Sequence, residues 1–159
     1  MIRRGQIPVL LLACTLLAAS AFGAPATCSV SSTGVAFGTF DTLSGGSQDT
    51  LGTVTVTCTG QIGDSANFTI QLTSGAAGSY SPRTMTGSTP QLVYNLYLDS
   101  AHTQVWGDGT GGTFTKADSY TLSATSCQTQ YTVYGRISGS QSALKAAIYT
   151  DSLTIVLNY

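Results

Sequence analysis

Alternation with a period of two is the feature that most restricts what this chain can fold into. Thr53-Val54-Thr55-Val56-Thr57-Cys58 puts Val54, Val56 and Cys58 on one face and threonines on the other. Asn67 to Leu72 repeats the pattern with Phe68, Ile70 and Leu72. Leu92, Tyr94, Leu96 and Leu98 share a face, as do Tyr131, Val133, Gly135 and Ile137. Leu153, Ile155, Leu157 and Tyr159 align in the last such run. Successive strand side chains point to opposite sides, so these runs predict half-buried antiparallel strands with one face in a core and one in water. Spacers such as Ser44-Gly45-Gly46-Ser47, Ser74 to Gly78 and Gly107 to Gly112 supply turns between them. Only Ser142 to Ala147 reads as able to hold a helical turn. Short alternating strands with such spacers give a single all-β domain, a sandwich or a barrel.

The residues before the first strand have a different logic. Met1-Ile2-Arg3-Arg4 is a short basic start, and Ile7 to Ala19 is an apolar run followed by small residues from Ser20 to Ala26. That is the layout of a secretory signal peptide over 1–23, cleaved somewhere between 23 and 26, with the domain spanning 24–159. A lipoprotein box at Leu11-Leu12-Ala13-Cys14 is the competing reading, weakened because the apolar run continues through Leu17. The run is shorter than the roughly 20 apolar residues of a membrane span and contains Pro8, so no integral membrane segment is expected once the leader is removed. The expectation from this leader is export from the cytosol.

Charge excludes other classes of partner. Charged residues make up 8% of the chain, with a formal net charge of -1 and no Glu. Nothing in that balance attracts nucleic acid or an anionic membrane. Catalytic chemistry also lacks a constellation. His102 is the only histidine. Asp99, His102 and some serine make a triad only on paper, and no Gly-x-Ser-x-Gly elbow is present. Asp108 in Gly107-Asp108-Gly109 reads as a turn rather than a calcium loop, which needs several oxygen ligands in register. No catalytic, metal or cofactor residue is assigned. Trp106 and Tyr94, Tyr97, Tyr134 and Tyr149 could form a carbohydrate platform, but aromatics in alternating strands ordinarily fill a core.

Export makes disulfides expected among Cys28, Cys58 and Cys127. Cys28 opens the first strand region and Cys58 ends the second. If those strands are neighbours, a bridge between them closes a loop of about 30 residues, worth roughly 3–4 kcal/mol in the chain-entropy model. Cys127 is then a buried thiol, an intermolecular partner or an alternative mate for one of the others.

Several segments in this order resemble a known family. They are Cys28, Phe37-Gly38 and Phe40-Asp41; Gly52 to Cys58; Arg83-Thr84-Met85; Leu92 to Asp99; Trp106-Gly107-Asp108-Gly109; Tyr131 to Ile137; Gln141; and Tyr149-Thr150-Asp151 through Tyr159. Together they resemble spore coat protein U-like domains, which include subunits of archaic chaperone–usher (Csu-type) pili. The resemblance implies an immunoglobulin-like antiparallel β-sandwich, incomplete for want of its last strand, with Cys28 and Cys58 as its disulfide. It implies a groove bordered by Leu153, Ile155, Leu157 and Tyr159 that accepts a donor strand. The partners so implied are a periplasmic chaperone, an outer-membrane usher and neighbouring pilus subunits. Few residues separate the expected cleavage site from Cys28, and Ala24-Pro25-Ala26-Thr27 cannot supply an alternating donor strand. That points to a tip or adaptor subunit. A surface-binding adhesin is the alternative, and a small exported enzyme the least favoured reading.

Overall fold

The structure, a computed structural model, describes residues 25–159, and the expected leader and its cleavage point lie outside the described residues. Eight strands follow in order: β1 (Thr27–Thr33), β2 (Gln48–Thr59), β3 (Ser65–Leu72), β4 (Arg83–Met85), β5 (Leu92–Tyr97), β6 (Lys116–Thr121), β7 (Ser126–Ile137) and β8 (Ile155–Asn158). They form a five-stranded sheet, β1-β2-β7-β5-β4, and a three-stranded sheet, β6-β3-β8, antiparallel throughout. The all-β domain expected from the alternation forms, and it is the sandwich that the resemblance implies.

Burial follows the period of two. Val54, Val56 and Cys58 of β2, Phe68, Ile70 and Leu72 of β3, and Tyr131, Val133 and Ile137 of β7 all lie in one core cluster. The β2–β7 ladder is its backbone, running from Gln48 opposite Ile137 to Thr59 opposite Ser126. Cys28 and Cys58 face each other across the β1–β2 pair and are joined by the expected disulfide, with Cα atoms 4.0 Å apart. Cys127 keeps a free, half-buried thiol.

Two local readings differ from the sequence expectation. The helical turn over 142–147 does not form, and the single 3-10 turn lies at Gly75–Ala77. The side chain of Gln141 explains the first point. Its Oε1 accepts from the Val93 N–H at 2.7 Å, and its Nε2 donates to Val93 O and Ser138 O, which ties the loop to β5. The Asp151 carboxylate explains the second, accepting from the Ala76 N–H at 2.9 Å. Strand β6 also escaped the apolar alternation. Its inward residues are Lys116, Asp118 and Tyr120, opposite Ile70, Phe68 and Ala66.

Arg83 shows how the core tolerates a charge. Its side chain is fully buried, and burial pushes its pKa below the ordinary guanidinium range. Nη1 donates to Asn95 Oδ1 at 2.7 Å, and Nη2 to Trp106 O at 2.7 Å and Thr73 O at 3.0 Å. The guanidinium also lies 5.1 Å from the Tyr80 ring centroid. Arg83 therefore ties β4 to β5, to the end of β3 and to the Trp106 segment. Removing it would strand several buried acceptors, each costing about 1–3 kcal/mol. Arg83→Ala should lower unfolding free energy by roughly 3 kcal/mol or more in urea titrations, and a loss below about 1 kcal/mol would contradict this role.

Candidate functional site

A long groove opens between the two sheets on the side of β8. Its volume is about 1060 Å³, at the large end of protein pockets. Its floor is core: Val54, Leu72, Tyr94, Leu96, Val133 and Ile137. One wall is the irregular segment 34–43 that follows β1, and the other is 144–153 with the start of β8. Leu43 and Ile148 stand at these two rims, 90% and 85% exposed. This trough over core side chains is the candidate site of the fold.

The first wall is seated by absent side chains. A Cβ on Gly52 would come within 2.7 Å of Val35 Cγ2, and one on Gly135 within 2.7 Å of Val35 Cγ1 and 2.9 Å of Phe37 Cζ. The two glycines thus form a slot for Val35. Phe37 meets Tyr94 edge to face, centroids 6.1 Å apart. Past Thr33 this segment leaves the β1 ladder, and side chains hold it instead, Thr50 Oγ1 donating to Ala36 O at 2.9 Å.

The four residues expected at the groove separate into three positions. Leu153 and Ile155 line it, half-buried. Leu157 packs half-buried against the core cluster farther along β8. Tyr159 follows the strand and is 64% exposed. At the second wall the Tyr94 hydroxyl donates to Asp151 Oδ2 at 2.6 Å, and burial, reinforced by that carboxylate, pushes the Tyr94 pKa well above its ordinary value. Apart from this pair the floor is apolar, which suits side-chain burial.

The strand edges bordering the sandwich are not equivalent. An edge strand exposes unpaired N–H and C=O groups, and short strands or inward-pointing charges blunt it. β4 is three residues long. β1 is linked to β2 by the disulfide. β6 turns Lys116 and Asp118 inward, the ammonium 5.3 Å from the Tyr131 ring centroid and the carboxylate accepting from the Tyr131 hydroxyl at 2.7 Å. β8 is also short, at four residues, but carries no inward charge. It pairs with β3 alone, and its inward residues are apolar. This difference between β6 and β8 is invisible to an apolar-alternation search, yet the signal exists in Lys116-Ala117-Asp118, where charge itself alternates.

The residues that could have suggested catalysis or sugar binding are occupied elsewhere. The Asp99 carboxylate accepts from the backbone of Thr103 and Gln104, while the carboxylate beside His102 is that of Asp49, at 3.8 Å. His102 sits in a left-handed turn with φ 57°, edge-on to the Tyr97 and Tyr134 rings. Asp108 closes its own turn, accepting from Thr110 N at 2.9 Å. Trp106 and Tyr94 are core residues, as expected of aromatics in alternating strands.

Comparison with known proteins decides the family. The model of the Spore Coat Protein U domain matches residues 13–156. The chain belongs to that family. This Spore Coat Protein U domain also resembles one chain of the crystal structure of the CsuC–CsuE chaperone–tip adhesion subunit pre-assembly complex from archaic chaperone–usher Csu pili of Acinetobacter baumannii. The TM-score is 0.58 at 16% identity, over 84% of this chain and 40% of that one. The likeness is one of fold, and this domain spans less than half the length of that chain. No curated protein sequence matches significantly. Among the described residues no helix is long and apolar enough to cross a membrane.

Two outcomes follow from the edge analysis. Replacing Lys116 and Asp118 with valines should add concentration-dependent association beyond that of the wild type by light scattering, and unchanged association would refute the blocking role of β6. The second concerns pH. Hydrogen bonds from Arg136 to Asp49 and from Tyr131 to Asp118 hold both carboxyls below their ordinary value of 3.8. Such groups stabilise the fold fully above the unfolded pKa and lose that contribution as pH falls through the folded one. Melting temperature should therefore drop as pH falls below about 3.8, and Asp49→Asn with Asp118→Asn should flatten the drop.

Proposed function

We propose that this domain is an exported structural subunit of a chaperone–usher pilus or related coat, assembled by accepting a donor strand along the free edge of β8. The observation that carries this reading is the pairing of an open groove with an apolar floor and the free edge of β8, where Ile155 of the strand and Leu153 just before it line that groove. A strand seated there would find backbone partners along β8, because alternate residues of an edge strand direct both N–H and C=O away from their one neighbour. Its alternate side chains would complete the core over Val54, Leu96 and Val133. This is strand addition, in which main-chain hydrogen bonds give affinity and pockets for alternate side chains give specificity.

Family membership and the fold shared with a Csu pilus complex support the subunit class. Both are structural in kind, and the groove has no nucleophile–base pair to set against them. The partners on this reading are a periplasmic chaperone, an outer-membrane usher and neighbouring subunits. A tip or adaptor position is the finer form of the proposal, resting on the short stretch Ala24 to Thr27 before Cys28.

Fusing an alternating apolar strand to the C-terminus through a flexible linker tests the mechanism. Each large apolar side chain newly buried is worth about 1.5–3 kcal/mol, so the melting temperature should rise by several degrees or more. The rise should vanish when the donor's inward residues become Asp. An unfused domain whose melting is unaffected by the fusion would mean that the sandwich needs no further strand.

A further inference from the structure

Three cysteines stand in one row across the larger sheet. Cys28 on β1 is opposite Cys58 on β2, and Cys58 is opposite Cys127 on β7. Strand order β1-β2-β7 puts Cys58 in the middle. Directly opposed residues of an antiparallel pair project to one face with Cβ atoms about 4.5–5.5 Å apart. Their Cα separations lie close to the range that a disulfide spans. Register alone therefore lets Cys58 bridge to either neighbour.

Burial shields the disulfide from solvent and leaves Cys127 as the neighbouring thiol. Cys58 is fully buried and Cys28 is 6% exposed, so a dissolved thiol cannot approach the bond while the sheet holds. Cys127 is the one free thiol among the described residues, and it packs against the same core cluster. Its Sγ lies near the turn before β7, 3.9 Å from Ser123 Oγ and 3.8 Å from Ala124 O. Displacement at a disulfide sulfur runs in line with the bond that breaks. A thiolate reaching Cys58 from the β7 side has Cys28 behind it, on the β1 side.

We propose that Cys127 exchanges with the structural disulfide. The Cys127 thiolate attacks Sγ of Cys58, a Cys58–Cys127 bond forms, and the Cys28–Cys58 bond breaks. The electron pair leaves on Cys28, which takes up the proton that Cys127 gave to solvent. One thiol and one disulfide exist before and after, so no oxidant or reductant is consumed. The exchange moves the cross-link from β1–β2 to β2–β7, where a twelve-residue ladder already holds the strands. β1 loses its staple, and β1 leads directly into the 34–43 wall of the groove. Cys127 is thus a built-in route for loosening that wall. The exchange itself does not depend on what fills the groove.

The test uses the exported protein held at about pH 8.5, where ordinary thiols are half ionised, without added thiol. It is quenched with acid and N-ethylmaleimide and its peptides are mapped. Wild type should yield a minor species with Cys28 labelled and Cys58 linked to Cys127. Cys28 labelling should fall at least about tenfold in Cys127→Ser, because the exchanging thiol is gone. Cys28 unlabelled in wild type, or labelled equally in both proteins, would overturn the proposal. As an independent measurement, air-oxidised Cys28→Ser should form a Cys58–Cys127 bridge within one chain. A folded variant that keeps both thiols free would count against the exchange, and if that variant fails to fold, the wild-type map decides.

Discussion

The free edge of β8 is the constraint around which the rest of this domain is arranged. A strand with one partner leaves half of its backbone groups to water, and β8 does so while carrying leucine and isoleucine on its inner side. At β6 inward charge blunts the edge, whereas β8, like β4, limits its exposure only by being short. Leaving β8 bare is costly, since half-buried apolar side chains forfeit part of a stability that for domains of this size totals only about 5–15 kcal/mol. A donor strand of the kind proposed would remove that cost.

The residues around the groove keep it open. Polar clamps tie the elements that border it to one another. Arg83 draws β4, β5 and the end of β3 together at one side of the floor. Asp151 ties the second wall to Tyr94 and to the turn at Ala76. Gln141 fixes the loop entering that wall to β5. Gly52 and Gly135 seat Val35 where any larger residue would push the first wall outward. These are directional contacts with defined partners, and they hold a shape that apolar packing by itself would not select.

Much of this was legible in the sequence, and the omissions have physical reasons. The core faces of β2, β3, β5 and β7 follow from apolar alternation, since burial demands it. The Cys28–Cys58 pairing rested on strand placement and on resemblance, and the β1–β2 register bears it out. Strand β6 was missed because its inward side chains are charged or phenolic. The 142–147 helical turn was expected from local composition, and Gln141 overrides it through contacts 48 residues away in sequence. Of the groove residues, Leu153 and Ile155 stand where the alternation put them, while Tyr159 lies past the strand end, where alternation no longer governs exposure. The open trough itself was not readable from periodicity, because its walls are the irregular segments 34–43 and 144–153, which carry no period.

Amide hydrogen exchange, compared with and without an alternating donor peptide bound in trans, tests the central claim most directly. The account predicts that amides of Ile155–Asn158 and of the 34–43 wall gain protection on binding, while those of Lys116–Thr121 do not change. Protection gained along β6, or none along β8, would contradict it.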